Sequence, residues 1–198
     1  MNPSNRTFLF IVLFVLLTGC ASSRMKPVAD AQAPFVLAAG ESQVIFMRPS
    51  YFGGAIQSSV FDVTDDKDEL IGIVSAGTKV RYVTHPGEHL FMVIGENADF
   101  MRAHLDPGKT YYARVTVRMG FMKARFSLSP VRGGELNGQA FKNEAAATSF
   151  VENTEQSRQW AVDNWPSIST KKAEYLHKWA AKPPTEKAEY TLTVNDGI

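Results

Sequence analysis

The chain of 198 residues has a single cysteine, Cys20, so no intramolecular disulfide can staple it. It also has no excess of charge: 21 basic residues face 20 acidic ones, a formal net charge of +1, so nothing global draws it to nucleic acid or to anionic lipid. Its longest unbroken apolar run, Phe8 to Leu17, is half the roughly 20 residues that a spanning helix needs. Several catalytic signatures are missing. There is no G-x-S-x-G, no H-E-x-x-H, no phosphate-cradling glycine loop and no cysteine besides Cys20 to act as a nucleophile. No internal repeat or low-complexity tract stands out, and no cofactor is indicated.

What is present begins at the N terminus. A short polar stretch with Arg6, the apolar run, and then Thr18-Gly19-Cys20 followed by Ala21-Ser22-Ser23 read as a secretory signal peptide over residues 1 to 19. Leu17-Thr18-Gly19-Cys20 resembles a bacterial lipobox. That resemblance implies a diacylglyceryl group on the Cys20 sulfur, cleavage just before it and acylation of the new amine. At about 0.8 kcal/mol per buried methylene, two or more chains make a stable anchor. Ala21, where an Asp would commonly retain a lipoprotein in the inner membrane, implies the outer membrane, periplasmic face. Arg6 is the one charged residue in the signal, so residues 20 to 198 carry 20 basic and 20 acidic side chains.

From Ala21 to about Gly40 the chain is rich in Ala, Ser and Pro and shows no sustained periodicity, so residues 20 to 40 are expected to be a lipidated tether. Within it, Phe35-Val36-Leu37 is apolar enough to dock on the domain. Short β-like runs follow at regular spacing: Val44 to Arg48, Ser58 to Val63, Glu69 to Val74, Lys79 to Thr84, His89 to Ile94, Asp99 to Leu105, Thr110 to Met119 and Ala124 to Val131. In the clearest of these, Tyr111, Ala113, Val115, Val117 and Met119 alternate with Tyr112, Arg114, Thr116 and Arg118, the period of a half-buried strand. Met119-Gly120-Phe121-Met122 reads as a hairpin tip. The predicted fold class is mainly β, an antiparallel β-sandwich of about seven to eight strands over residues 41 to 132.

Residues 133 to 198 shift toward helix formers and predict a helical extension packed on the sandwich. Asn153-Thr154-Glu155-Gln156 resembles a helix start, and Pro166 is expected to interrupt that helix after Asn164. A second run puts Ile168, Tyr175, Leu176 and Trp179 on one stripe and ends at Pro183-Pro184, completing a pair of helices. Trp160, Trp165 and Trp179 either pack on the sandwich or, if the pair stands away from it, offer a docking face. Tyr190, Leu192 and Val194 alternate as an edge strand or an extended tail would.

His85-Pro86-Gly87-Glu88-His89 fits the H-x-x-E-H spelling of an inverted zinc-peptidase motif. That chemistry depends on a helix, which puts residues four apart on one face. Here Pro86-Gly87 lies between two strand-like runs, and a Pro-Gly pair suits the two central positions of a type II turn. Asp106-Pro107-Gly108-Lys109 repeats the recipe, so a turn is expected in both places and no metal site is assigned. Val44 to Ser50, Gly53-Gly54-Ala55, His85 to His89 and Pro107 to Arg114 together resemble a family of small Gram-negative lipoproteins carrying a domain of unknown function. The likeness covers roughly Ser42 to Val131. It implies a compact β-sandwich and transfers no activity or catalytic residue.

Two surfaces stand out for a ligand or partner. One is the loop Arg48-Pro49-Ser50-Tyr51-Phe52-Gly53-Gly54-Ala55, whose cation and aromatics Tyr51 and Phe52 suit the lip of a glycan or peptide site, the alternative being a plain strand connection. The other combines Arg114, Arg118 and Arg125 on a polar strand face with Met119, Phe121 and Met122 at the tip, suited to anionic groups or a partner protein. The expected function is a non-catalytic binding or scaffolding module for envelope components, tied to the membrane through Cys20, with peptidoglycan or an envelope protein as partner and no nucleic acid. The alternative is a cell-wall or metal-dependent hydrolase using His85, Glu88 and His89.

Overall fold

The computed structural model describes residues 24–29, 35–54, 56–119 and 124–198. The mainly β expectation holds, but with more strands than the seven to eight expected: among the described residues eleven strands form two sheets. They are β1 (Met25–Pro27), β2 (Ser42–Arg48), β3 (Ser58–Asp62), β4 (Glu69–Val74), β5 (Thr78–Thr84), β6 (Gly87–Ile94), β7 (Ala98–Leu105), β8 (Thr110–Met119), β9 (Ala124–Pro130), β10 (Ser149–Asn153) and β11 (Thr191–Leu192). Among the described residues the α-helices are α1 (Gln139–Ala146), α2 (Glu155–Ala180) and α3 (Pro184–Glu189). The six-stranded sheet runs β1-β10-β5-β2-β8-β9 and the five-stranded sheet β11-β7-β6-β3-β4.

The two sheets face each other across a shared core, in which Phe46 of β2 meets Phe91 of β6 edge-on at 5.1 Å. Tyr111, Ala113 and Val115 point into it from β8, as their alternation requires. The outer faces are covered as well. Helix α1 seats Phe141 edge-on against Tyr112, over Met47 and Val131, on the six-stranded sheet. Helix α2 covers the other sheet, bringing Ala161, Ile168 and Trp179 onto Phe61, Met92 and Phe100. Burial on both faces explains why Val44 to Met47 of β2 read as a continuous apolar run rather than as an alternation.

The arrangement differs from the sequence expectation in three respects. The sheets are mixed rather than antiparallel, with parallel pairs β2–β8, β5–β10 and β7–β11. Parallel neighbours need a long crossover, and between β2 and β8 the chain makes one by building most of the other sheet. Secondly, the pair of helices is one helix. Pro166 sits inside α2 on its exposed side, where the carbonyl deprived of a donor, that of the exposed Val162, faces solvent. Thirdly, strands come from both flanks. Met25 to Pro27, expected in the tether, pair with Val151 to Asn153, which lie in the stretch expected to be helical. The Met25 side chain is buried in the core, and its sulfur accepts from the Ile73 amide at 3.4 Å. Phe35 does dock, its ring lying over the Arg81 guanidinium at 3.9 Å. The tail forms an edge strand, β11, beside β7.

Candidate binding site

A cavity of about 480 Å³ lies between α2 and the outer face of the five-stranded sheet. It lies at the end of the sheet where β3 starts and β4 and β6 finish, beneath Trp160 and Ile168 of α2. The helix begins at Thr154, whose hydroxyl accepts from the Ser157 amide at 3.2 Å, and this cap fixes where the first turns pass over the sheet. Trp160, Asn164, Ser167 and Lys171 then fall on one face by helical spacing and line the cavity, with Ile73, Ile94 and Ile168 as its apolar walls. Such a concavity, mostly apolar with a few fixed polar groups, is the usual form of a small-molecule site.

The polar groups have distinct roles. Arg24 lies over Trp160 at 5.5 Å and donates to Gln57 Oε1 at 3.3 Å. Lys171 reaches across the rim and donates to the Gly95 carbonyl at 2.6 Å, and its neighbour Lys172 pairs with Asp68 at 2.6 Å, so the helix is stapled to two loops. Asn164 is occupied with the Trp160 carbonyl at 2.8 Å. Glu96 differs: its Oε2 is buried and has no hydrogen-bond partner in the protein. A buried carboxylate oxygen without a donor is costly, and this one is sealed from the cavity that the rest of the residue lines.

The strongest electrostatics lie elsewhere, around the fully buried Asp62. Its carboxylate accepts from the Thr64 amide (3.0 Å) and hydroxyl, from the Tyr82 hydroxyl (2.7 Å) and from His89 Nδ1 (3.2 Å). Burial alone would push this acid up, but the donors from His89, Thr64 and Tyr82 outweigh it and hold the group at about 2. His89 Nε2 lies 2.9 Å from the His85 carbonyl, so both ring nitrogens face acceptors and only an imidazolium can donate to both. Burial works against that charge, yet Asp62 and the His85 carbonyl prevail and the histidine is raised above its usual value. The ring stacks on Phe91 at 5.5 Å.

The H-x-x-E-H segment is therefore a turn followed by a strand. Gly87 has φ of +122°, a region glycine enters freely, and β6 starts at that residue. His85 and Glu88 are exposed, Glu88 lies 3.6 Å from His104, and both nitrogens of His89 are bound within the fold. The three side chains do not converge on a common point where a metal or an attacking water would sit.

The residues of the two anticipated surfaces lie in different environments. Arg48 is fully buried and donates to the carbonyls of Ile56 (2.6 Å), Phe52 (3.0 Å) and Gly53 (2.9 Å) over the Phe126 ring. Tyr51 and Phe52 do face water, at 70% and 56% exposure. Arg114 is also committed, bridging Glu135 at 2.9 Å and Glu144 at 2.7 Å, and so ties the segment after β9 to the sheet. Arg118 and Arg125 are exposed and stand opposite each other across β8 and β9. The Met119 side chain, Phe121, Met122 and Cys20 lie outside the described residues. The sequence reading did not single out Arg24, Glu96, Lys171, Asp62 or Tyr82 as site residues. The i, i+4, i+7, i+11 spacing of the α2 face was a legible signal, whereas nothing local marks Glu96 as facing a cavity. No family model matches this chain, and no curated protein matches it.

Proposed function

We propose that the chain is an outer-membrane lipoprotein, held at the periplasmic face by lipid on Cys20, whose two-sheet body is a sandwich-type, non-catalytic binding module. The observation that carries the binding reading is the cavity beneath α2, with isoleucine walls, Trp160 and a polar lining that includes Arg24, Gln57 and Ser167. The occupant is an amphipathic envelope component: an apolar body suits the isoleucines and the indole, and a polar head suits Arg24, Gln57 and Ser167. Hydrolysis has less support, because His85, Glu88 and His89 are dispersed and the most perturbed acid, Asp62, is sealed among its own donors. A perturbed group without access to substrate stabilises the fold and does no chemistry.

Native mass spectrometry of the protein extracted from its own membrane tests this reading. The expected result is a mass increment from acylation at Cys20 together with a second, non-covalent increment that Ile168→Trp, which fills the cavity, removes. Retention of the second increment in the Trp variant would move the site elsewhere, and Cys20→Ser protein that still sediments with membranes would refute the anchor.

A further inference from the structure

We propose that the loop between β2 and β3, with Tyr51, Phe52 and Ile56 at its surface, rests in the interface of the bilayer that holds Cys20. This rests on the lipid anchor of the preceding section and adds a second, non-covalent contact with lipid. Of the eight large apolar side chains that are exposed among the described residues, three belong to this one loop: Tyr51, Phe52 and Ile56, the last 43% exposed. Residues 49 to 57 contain no charged side chain, so the loop leaves water without desolvating a charge.

The loop is built to keep that exposure. Arg48 donates to the carbonyls of Phe52, Gly53 and Ile56, and the Ile56 amide donates to the Gly53 carbonyl at 3.0 Å. A backbone entering the headgroup region loses water partners, and unsatisfied carbonyls would oppose entry. Here the buried guanidinium supplies the donors from below, leaving the aromatic side chains outward. A tyrosine beside other apolar side chains suits the water–lipid boundary, where its ring and its hydroxyl meet different surroundings.

The place of the loop in the fold selects lipid as the occupant. The Arg24 guanidinium bonds Gln57, the residue next to Ile56. Four peptide units separate Arg24 from Cys20, and a fully extended chain covers at most about 14 Å over that distance. Because β1 is fixed in the sheet by its pairing with β10, the anchored bilayer must lie within that reach of Arg24. Charge agrees with this orientation. Strand β8 runs parallel to β2 with Met47 opposite Arg114, so Arg118 lies past the Arg48 end of β2, with Arg125 across from it. Arg24, Arg118 and Arg125 thus put cations near the loop, where they meet anionic headgroups.

The test uses the lipidated protein in vesicles of phosphatidylethanolamine and phosphatidylglycerol, with a nitroxide on Phe52→Cys or on Ile198→Cys. Ile198 is exposed beside Thr110, at the opposite end of β2. If Cys20 is linked to lipid, the introduced cysteine is the only thiol that labels. The expected result is one nitroxide per chain, with an oxygen-to-nickel-chelate collision ratio several-fold higher at position 52 than at 198, reduced when Tyr51→Ser and Ile56→Ser are added. One nitroxide per chain with equal ratios at the two positions overturns the lipid contact and leaves the anchor standing. Protection of position 52 from both quenchers also overturns it, in favour of a protein covering the loop. Two nitroxides per chain remove the anchor and the proposal together.

Discussion

At the scale of single residues, the side chains with the most chemistry are spent on holding the fold. Asp62 and His89 form a buried pair in which each stabilises the charged form of the other, and the pH dependence follows from their directions. The folded Asp62, at about 2, lies below its ordinary 3.8, so its contribution is present above pH 3.8 and disappears as pH falls through 2. The folded His89 lies above its ordinary 6.5, so its contribution is complete below pH 6.5 and is lost as pH rises through the folded value. Stability measured by urea denaturation should therefore be greatest between about pH 4 and 6.5 and decline on both sides. In His89→Asn the alkaline decline should shrink, and the acid decline, which still starts near pH 3.8, should be smaller and end at higher pH, since Asp62 loses a donor. An unchanged alkaline limb would remove His89 from the account. None of this was legible locally, because Asp62 and His89 belong to different strands and meet only when β3 pairs with β6. Arg48 teaches the same lesson from the other side. Its sequence neighbours, two aromatics and two glycines, spell a ligand loop, and only the fold reveals that the loop's own carbonyls are what the arginine binds.

At the scale of elements, strand existence was legible and strand pairing was not. The short β-like runs coincide with β2 to β9, with Glu69–Val74 and Thr110–Met119 falling at the expected bounds. Pairing depends on contacts between distant segments, so the parallel neighbours β2 and β8 left no trace in either run. Helix α2 shows how context overrides a breaker. A proline in a helix interior costs about 3 kcal/mol, but tertiary burial of Ala161, Ile168 and Trp179 along the same helix offsets it. The start of α2 is set by Thr154, which also donates from its hydroxyl to the Arg24 carbonyl at 2.6 Å. Thr154→Ala should lower stability by about 1 kcal/mol, read from the urea midpoint. It should also speed amide exchange in β1 and near Arg24 more than in β2. Uniform acceleration across the sheet would show that the cap does not hold β1.

At the scale of the molecule, the layers interlock: α1 on one sheet, the shared core, the second sheet, and α2 outside it. Residues 133 to 198 supply β10, β11 and the cover for Phe61, Met92 and Phe100, while residues 25 to 27 close the edge beside β10. A chain limited to residues 41 to 132 should therefore fail to fold cooperatively, with an exposed apolar sheet face and weak near-ultraviolet dichroism. A sharp two-state transition from that fragment would show that the flanks are accessories. The sequence by itself determined strands β2 to β9, the two Pro-Gly turns, the docking of the tryptophan-bearing helix as one of two outcomes, and the expectation of a lipid address, because each rests on local periodicity or local turn chemistry. Only the tertiary structure decided which strands are neighbours, that Met25 to Pro27 belong to a sheet, that Arg48 and Arg114 are bonded within the fold, and that Glu96 lines a cavity. Those outcomes depend on which side chains meet across the two sheets, and a linear pattern carries no term for that.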